Sequence, residues 1–84
     1  MYYIYIIKSL KDLGYYIGST DNINKRLKEH NQGKTKSIKH RIPFILKYTE
    51  EYSAKKEAKQ REIKLKNNYQ ARKELLLKLG FDIK

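Results

Sequence analysis

Cysteine is absent from the 84-residue sequence, which excludes a disulfide scaffold and a cysteine-based zinc site as ways to stiffen so short a chain. No apolar run approaches the roughly 18 residues that cross a bilayer. Met1 leads straight into Tyr2–Ile7, with no basic stretch before it and no small-residue cleavage site after it. The expectation is therefore a soluble, cytoplasmic protein without a membrane partner. Internal repeats and low-complexity tracts are missing too, and the length suits one domain over 1–84 whose large apolar residues are committed to a single core. Acidic residues are scarce: 9 Asp and Glu stand against 20 Lys and Arg, leaving a formal charge of +11. Such a surface attracts polyanions, although a lysine-biased solvated face would give the same composition. Sixteen of the cations are lysines, which suit sequence-independent phosphate attraction better than the bidentate reading of bases at which Arg excels.

Tyr2–Ile7 is aromatic and β-branched throughout, the mark of a strand covered on both faces. Turn residues Ser9–Gly14 separate it from Tyr15–Gly18, so 2–18 is expected to be an antiparallel hairpin. Thr20, Asp21 and Asn22 are competent caps for a helix over about 22–32 that Gly33 can end. Residues 34–41 read as a polar, basic surface loop. Pro43 opens a third strand, Phe44–Tyr48. Ser53 can cap a second helix over about 54–67, broken near Asn67 and Asn68, and a third helix over about 70–79 ends at Gly80. The order β-β-α-β-α-α indicates an α+β fold, a three-stranded antiparallel sheet flanked by helices.

Three features resist a purely structural account. At 100° per residue, Arg26 and His30 lie within about 60° of Ile23 on the inward stripe of the first helix, and their i,i+4 spacing lets them address one anion together. Alternatively the Arg stem snorkels outward and His30 is a neutral boundary residue. On the second helix, Glu62 projects about 40° from Ala58 among apolar neighbours, where an unpaired carboxylate would cost several kcal/mol; either a divalent metal or an ion pair with Arg26 or a lysine must meet it. Glu57, on the opposite side of that helix, is simply solvated. Finally, eight tyrosines crowd the chain. Most are ordinary strand residues, yet a hairpin would bring Tyr5 and Tyr16 near Arg26 and His30. A Tyr, Tyr, Arg, His and Glu constellation suits a phosphodiester: the carboxylate can hold a hard cation, the guanidinium can neutralise phosphate, and a phenol can activate water.

These residues resemble the GIY-YIG nuclease domain in its small single-domain bacterial form. Tyr3-Ile4-Tyr5 and Tyr16-Ile17-Gly18 match the two half-motifs, and Gly18-Ser19-Thr20, Arg26–Asn31, Gly33-Lys34 and Glu57–Lys64 follow in order, covering about 2–68. Tyr3 replaces the first glycine of the motif, a change that bears on packing more than on chemistry. The resemblance implies a metal-dependent endonuclease using Mg²⁺ or Mn²⁺, acting on DNA more than RNA, with roles in DNA repair or processing. It implies Glu62 as metal ligand, Tyr5 and Tyr16 holding or activating the attacking water, Arg26 stabilising the pentacovalent phosphate and His30 assisting in proton handling or phosphate contact. Lys34, Lys36, Lys39, His40 and Arg41 are candidate nucleic-acid contacts beside that site. With no separate recognition domain, targeting would come from DNA shape, a homodimer or a protein partner. The competing reading is a basic nucleic-acid-binding module that keeps the fold without turnover. An asparagine often follows the glutamate helix in the family, but neither Asn67 nor Asn68 is assigned a role.

Overall fold

The N-terminal apolar run forms β1 (Tyr2–Ser9), the central strand of a sheet ordered β2-β1-β3, with β2 (Tyr15–Thr20) and β3 (Phe44–Tyr52) both antiparallel to it. The computed structural model describes residues 1–81, so the last three positions of the expected 1–84 domain lie outside the described residues. Three helices follow from the same chain order: α1 (Ile23–Asn31), α2 (Lys55–Asn67) and α3 (Tyr69–Lys78). The fold is the expected α+β arrangement, and its Cα radius of gyration is 12.3 Å.

Alternation along β1 explains why its sequence reads apolar at every position. Ile4 and Ile6 point to one face, where they pack with Ile17, Leu65 of α2 and Leu76 of α3. Tyr5 and Ile7 point to the other, with Phe44, Ile38 and, at the margin, Tyr16 and Leu27 of α1. A central strand with helices on both sides has no solvent face, so no polar alternation is required. Ser19, Ile4 and Glu50 lie abreast in one row across the three strands, and Gly18, Tyr5 and Thr49 form the next row.

Helix ends follow local chemistry. Asn22 caps α1 by accepting from Lys25 N at 3.0 Å. Gly33, at φ 77°, closes its far end by donating to His30 O while Lys34 N donates to Glu29 O, the double bond of a left-handed glycine cap. Asn68 caps α3 through Ala71 N, so the break between α2 and α3 is a capping event.

Three expectations need correction. Ser53 does not cap α2: the cap position is Ala54, and the Ser53 hydroxyl donates instead to Glu57. β3 continues four residues past Tyr48, because an edge strand tolerates the polar run Thr49–Tyr52 once it pairs with Tyr2–Tyr5. Residues 34–41 are not merely a surface loop: Ile38 is buried in the second core cluster, and Lys39–Arg41 form a 3-10 turn.

Candidate active site

Tyr5 and His30 come together in the core beneath α1. The side chains are 2% and 0% exposed, and Tyr5 Oη lies 2.8 Å from His30 Nε2. The other ring nitrogen, Nδ1, lies 3.0 Å from Thr35 Oγ1. Burial pushes the Tyr5 phenol up to about 12; Arg26 acts in the opposite sense, and Tyr16 and Glu62 add to the rise. Burial, followed by the positive charge of Arg26, holds the His30 imidazole below its ordinary pKa. At neutral pH both groups are therefore uncharged, and the arrangement that satisfies them has the phenol donating to Nε2 and Nδ1–H donating to Thr35.

Gly18 explains how a tyrosine ring can lie flat on this face. It sits opposite Tyr5 in the β1–β2 ladder, and a Cβ there would overlap the phenol ring itself. Tyr16, two residues earlier on the same face of β2, presents its ring edge-on to His30 with centroids 5.4 Å apart. Arg26 stands on the first turn of α1, half-buried, paired with Glu29 at 3.4 Å and near enough to the Tyr5 hydroxyl to hold its pKa down. Tyr5, Tyr16, Arg26 and His30 thus form one cluster.

Glu62 arrives from the opposite face of the sheet, around the edge of β2. It is 8% exposed and fully partnered: Ser19 Oγ donates to Oε1 at 2.5 Å, Lys66 Nζ lies 2.8 Å from Oε2, and Lys59 Nζ lies 3.3 Å from Oε1. Burial acts to raise its pKa, but hydrogen bonds from Lys66 and Ser19 and the lysine charges leave it lowered. The expected cation is thus supplied by two lysines and not by Arg26. Lys66 also links the two halves, since its ammonium lies 5.1 Å over the Tyr16 ring.

Adjacent residues 61 and 62 anchor α2 to both edges of the sheet. Arg61 grips Glu50 of β3 through Nε at 2.9 Å and Nη2 at 3.1 Å, and the same carboxylate accepts from Tyr48 and Tyr52. Glu62 meets Ser19 of β2, and both contacts fall on the row containing Ile4. Arg61 therefore sets the rotation of α2 that presents Glu62.

Among the described residues, no group of three or more His, Cys, Asp or Glu converges to hold a metal. A single anionic carboxylate nevertheless fits a hard divalent cation of the kind that keeps several waters and takes further oxygens from phosphate. Of the basic candidates after α1, Lys34, Lys36, Lys39 and His40 are exposed. Arg41 is engaged elsewhere: it binds Asp12 at 2.6 Å, donates to Tyr15 O and covers the Phe44 ring. Thr35, Ser19, Gly18 and Lys66 were not among the expected site residues. Lys66, at i+4 from Glu62, carried a sequence signal, whereas Thr35 carried none.

The GIY-YIG catalytic domain family matches residues 1–75. The chain belongs to the GIY-YIG family. A UPF0213 protein of Halobacterium salinarum is 38% identical over 77 residues, spanning 90% of this chain and 99% of that protein. Another, from Staphylococcus haemolyticus, is 44% identical over 66 residues, or 77% of this chain and 79% of that protein. The solution NMR structure of a UPF0213 protein from Bacillus halodurans superposes with a TM-score of 0.56 at 36% identity, covering 94% of this chain and 85% of that one. Membership of the GIY-YIG family implies nuclease chemistry on nucleic acid, generally with a divalent metal. No helix among the described residues of this GIY-YIG domain is long and apolar enough to cross a membrane.

Proposed function

We propose that the chain is a divalent-metal-dependent endonuclease that hydrolyses nucleic-acid phosphodiester bonds, those of DNA in preference to RNA, in DNA repair or processing. Glu62 would hold Mg²⁺ or Mn²⁺ after Lys66 turns away from Oε2, and the cation would supply Lewis-acid neutralisation of phosphate charge. Tyr5 and Tyr16 hold the attacking water. As the water oxygen bonds to phosphorus, its proton passes to Tyr5 Oη while the phenol proton passes to His30 Nε2, so the step needs no free phenolate, which the high Tyr5 pKa disfavours. Thr35 Oγ1 would accept from Nδ1–H in the tautomer whose Nε2 is open to take the proton. Arg26 neutralises charge on the pentacovalent phosphate as the bond to the leaving oxygen breaks; that oxygen keeps the bond's electron pair and takes a proton from solvent. The exposed Lys34, Lys36, Lys39 and His40 would draw the backbone toward this face, while Arg41 secures the turn that carries them.

The observation that carries this reading is the buried 2.8 Å contact between Tyr5 and His30, close to Arg26 and Tyr16. It forms a proton path of two neutral groups that ends beside a guanidinium. One observation favours the binding-module reading instead: Ser19, Lys59 and Lys66 satisfy Glu62 without any further cation. Incubation with branched, duplex and single-stranded substrates, with and without Mg²⁺ or Mn²⁺, separates the two. The nuclease reading requires metal-dependent cutting that Tyr5→Phe abolishes; binding without cutting under every condition would leave the module.

A further inference from the structure

A groove of about 330 Å³ runs between the outer edge of β2 and the start of α3, lined by Tyr16, Lys66, Tyr69, Arg72 and Lys73 among others, with Arg41 touching its Gly14–Tyr15 end. None of its lining residues is acidic. Tyr69 is 58% exposed, with the Arg72 guanidinium 5.6 Å and the Lys73 ammonium 6.0 Å from its ring centroid. Nothing in the core requires a large aromatic side chain at the first position of α3, since that helix is anchored by Leu76. The groove is continuous with the candidate active site, because Lys66 contacts both Glu62 Oε2 and the Tyr16 ring.

We propose that this groove binds an unpaired DNA segment of two or three nucleotides adjoining the phosphate to be cut, with a base stacked on Tyr69 and the backbone met by Lys66 and Lys73. Aromatic rings set in a positive channel are how sequence-tolerant single-strand binding is built, because every base has a π-face and every linkage a charge. A duplex keeps its bases stacked on one another and offers Tyr69 none. A phosphate reaching Lys66 also competes with Glu62 for that ammonium, so seating the strand would free the carboxylate at the moment the substrate arrives. The groove would therefore confer a preference for junctions between paired and unpaired DNA. The choice of DNA and the scissile position rest on the nuclease reading, whereas the stacking site does not.

The test is fluorescence anisotropy in EDTA, with labelled blunt duplex, duplex bearing a single-stranded overhang, single-stranded DNA, and RNA of the same sequence. Tyr69→Leu is expected to weaken overhang and single-strand binding by about tenfold, the scale of base–aromatic stacking, while changing blunt-duplex affinity less than about twofold. Tyr69→Phe should keep wild-type affinity, since the ring and not the hydroxyl does the stacking. Lys73→Gln should lower the slope of log affinity against log salt for single strands by about 0.7. Both positions lie on the surface of α3, and thermal unfolding of each variant checks that the fold is kept. Arg72 is avoided because its Nη1 donates to the Leu65 and Lys66 carbonyls at the end of α2. Unchanged overhang binding in Tyr69→Leu together with an unchanged slope in Lys73→Gln overturns the proposal, as does an equal loss on blunt duplex. Tighter binding of RNA overturns the assignment to DNA. Tyr69-dependent overhang binding by a wild-type protein that cuts nothing supports the groove and refutes the nuclease reading, so the two fail separately.

Discussion

Replacing Glu62 by Gln tests the site most directly, because the structural and catalytic roles of that carboxylate leave different traces. Without metal, the substitution keeps volume and lets Ser19 go on donating to the amide oxygen, but it removes the charge that meets Lys66 at 2.8 Å and Lys59 at 3.3 Å. Both lysines are substantially exposed, with side chains at 39% and 54%. Their attraction is therefore screened, and the loss should be about 1 kcal/mol rather than the 3–5 of a fully buried pair. In a domain of this size that is a fall in Tm of about 4–8 °C. The pH dependence gives a second handle. The folded-state pKa of Glu62 lies below its ordinary value of 4.5, so its contribution is present above about pH 4.5 and is lost as pH falls through the folded value. The Tm gap between wild type and Glu62→Gln should close over that acidic window. With metal, cleavage should vanish while nucleic-acid affinity stays the same or tightens, since repulsion between carboxylate and phosphate is gone. Paired calorimetry and gel assays decide the matter: unchanged cleavage would refute the metal role, and a Tm that holds or rises would refute the stabilising lysine pairs.

Arg26→Ala should slow cleavage by about 10²–10³-fold, the usual loss of a preorganised donor, with little change in Tm because its 3.4 Å ion pair with Glu29 is long and partly exposed; a collapsed melting curve would make the residue structural. Burial lowers the His30 pKa from 6.5, so the unfolded chain binds the proton more readily and stability should fall as pH drops from about 6.5 toward the folded value. His30→Gln should flatten that slope in denaturant titrations at pH 7 and pH 5.5, and equal slopes would contradict the assignment. Gly18→Ala should destabilise by about 1–3 kcal/mol through overpacking and displace the Tyr5 ring; a variant with native urea midpoint and full activity would show that the ring has room to move.

Much of this site was readable in advance because periodicity reports burial. Glu62 stood out as a charge on an apolar helical face, and His30 as a polar group on the inward stripe, and both are buried. Arg26 shared that stripe but is only half-buried, because its long side chain reaches the rim and pairs with Glu29. Contacts between distant segments left no pattern to read. The Arg61–Glu50 grip joins residues in different elements, and both look like ordinary surface charges in a lysine-rich chain. Thr35 is an unremarkable polar residue until α1 turns back at Gly33 and brings it beside His30. The second half of β3 was obscured because edge strands tolerate polar sequences that read as loop.

The row Ser19–Ile4–Glu50, gripped at its ends by consecutive residues of α2, sits directly beside the row that carries Tyr5 and Gly18. The phenol and the carboxylate are thus spaced by one step along β1 and by the thickness of a single backbone layer. Slipping β2 by one residue would turn Ser19 away from Glu62 and place a side chain where Tyr5 needs glycine, disabling both halves together. Graft and loop-length experiments gain a simple criterion from this. The connection Leu10–Gly14 can be lengthened or exchanged as long as Tyr5 still faces Gly18 and an acidic residue still reaches Arg41 as Asp12 does, and a variant that regains wild-type stability indicates that the hairpin closed in the right frame.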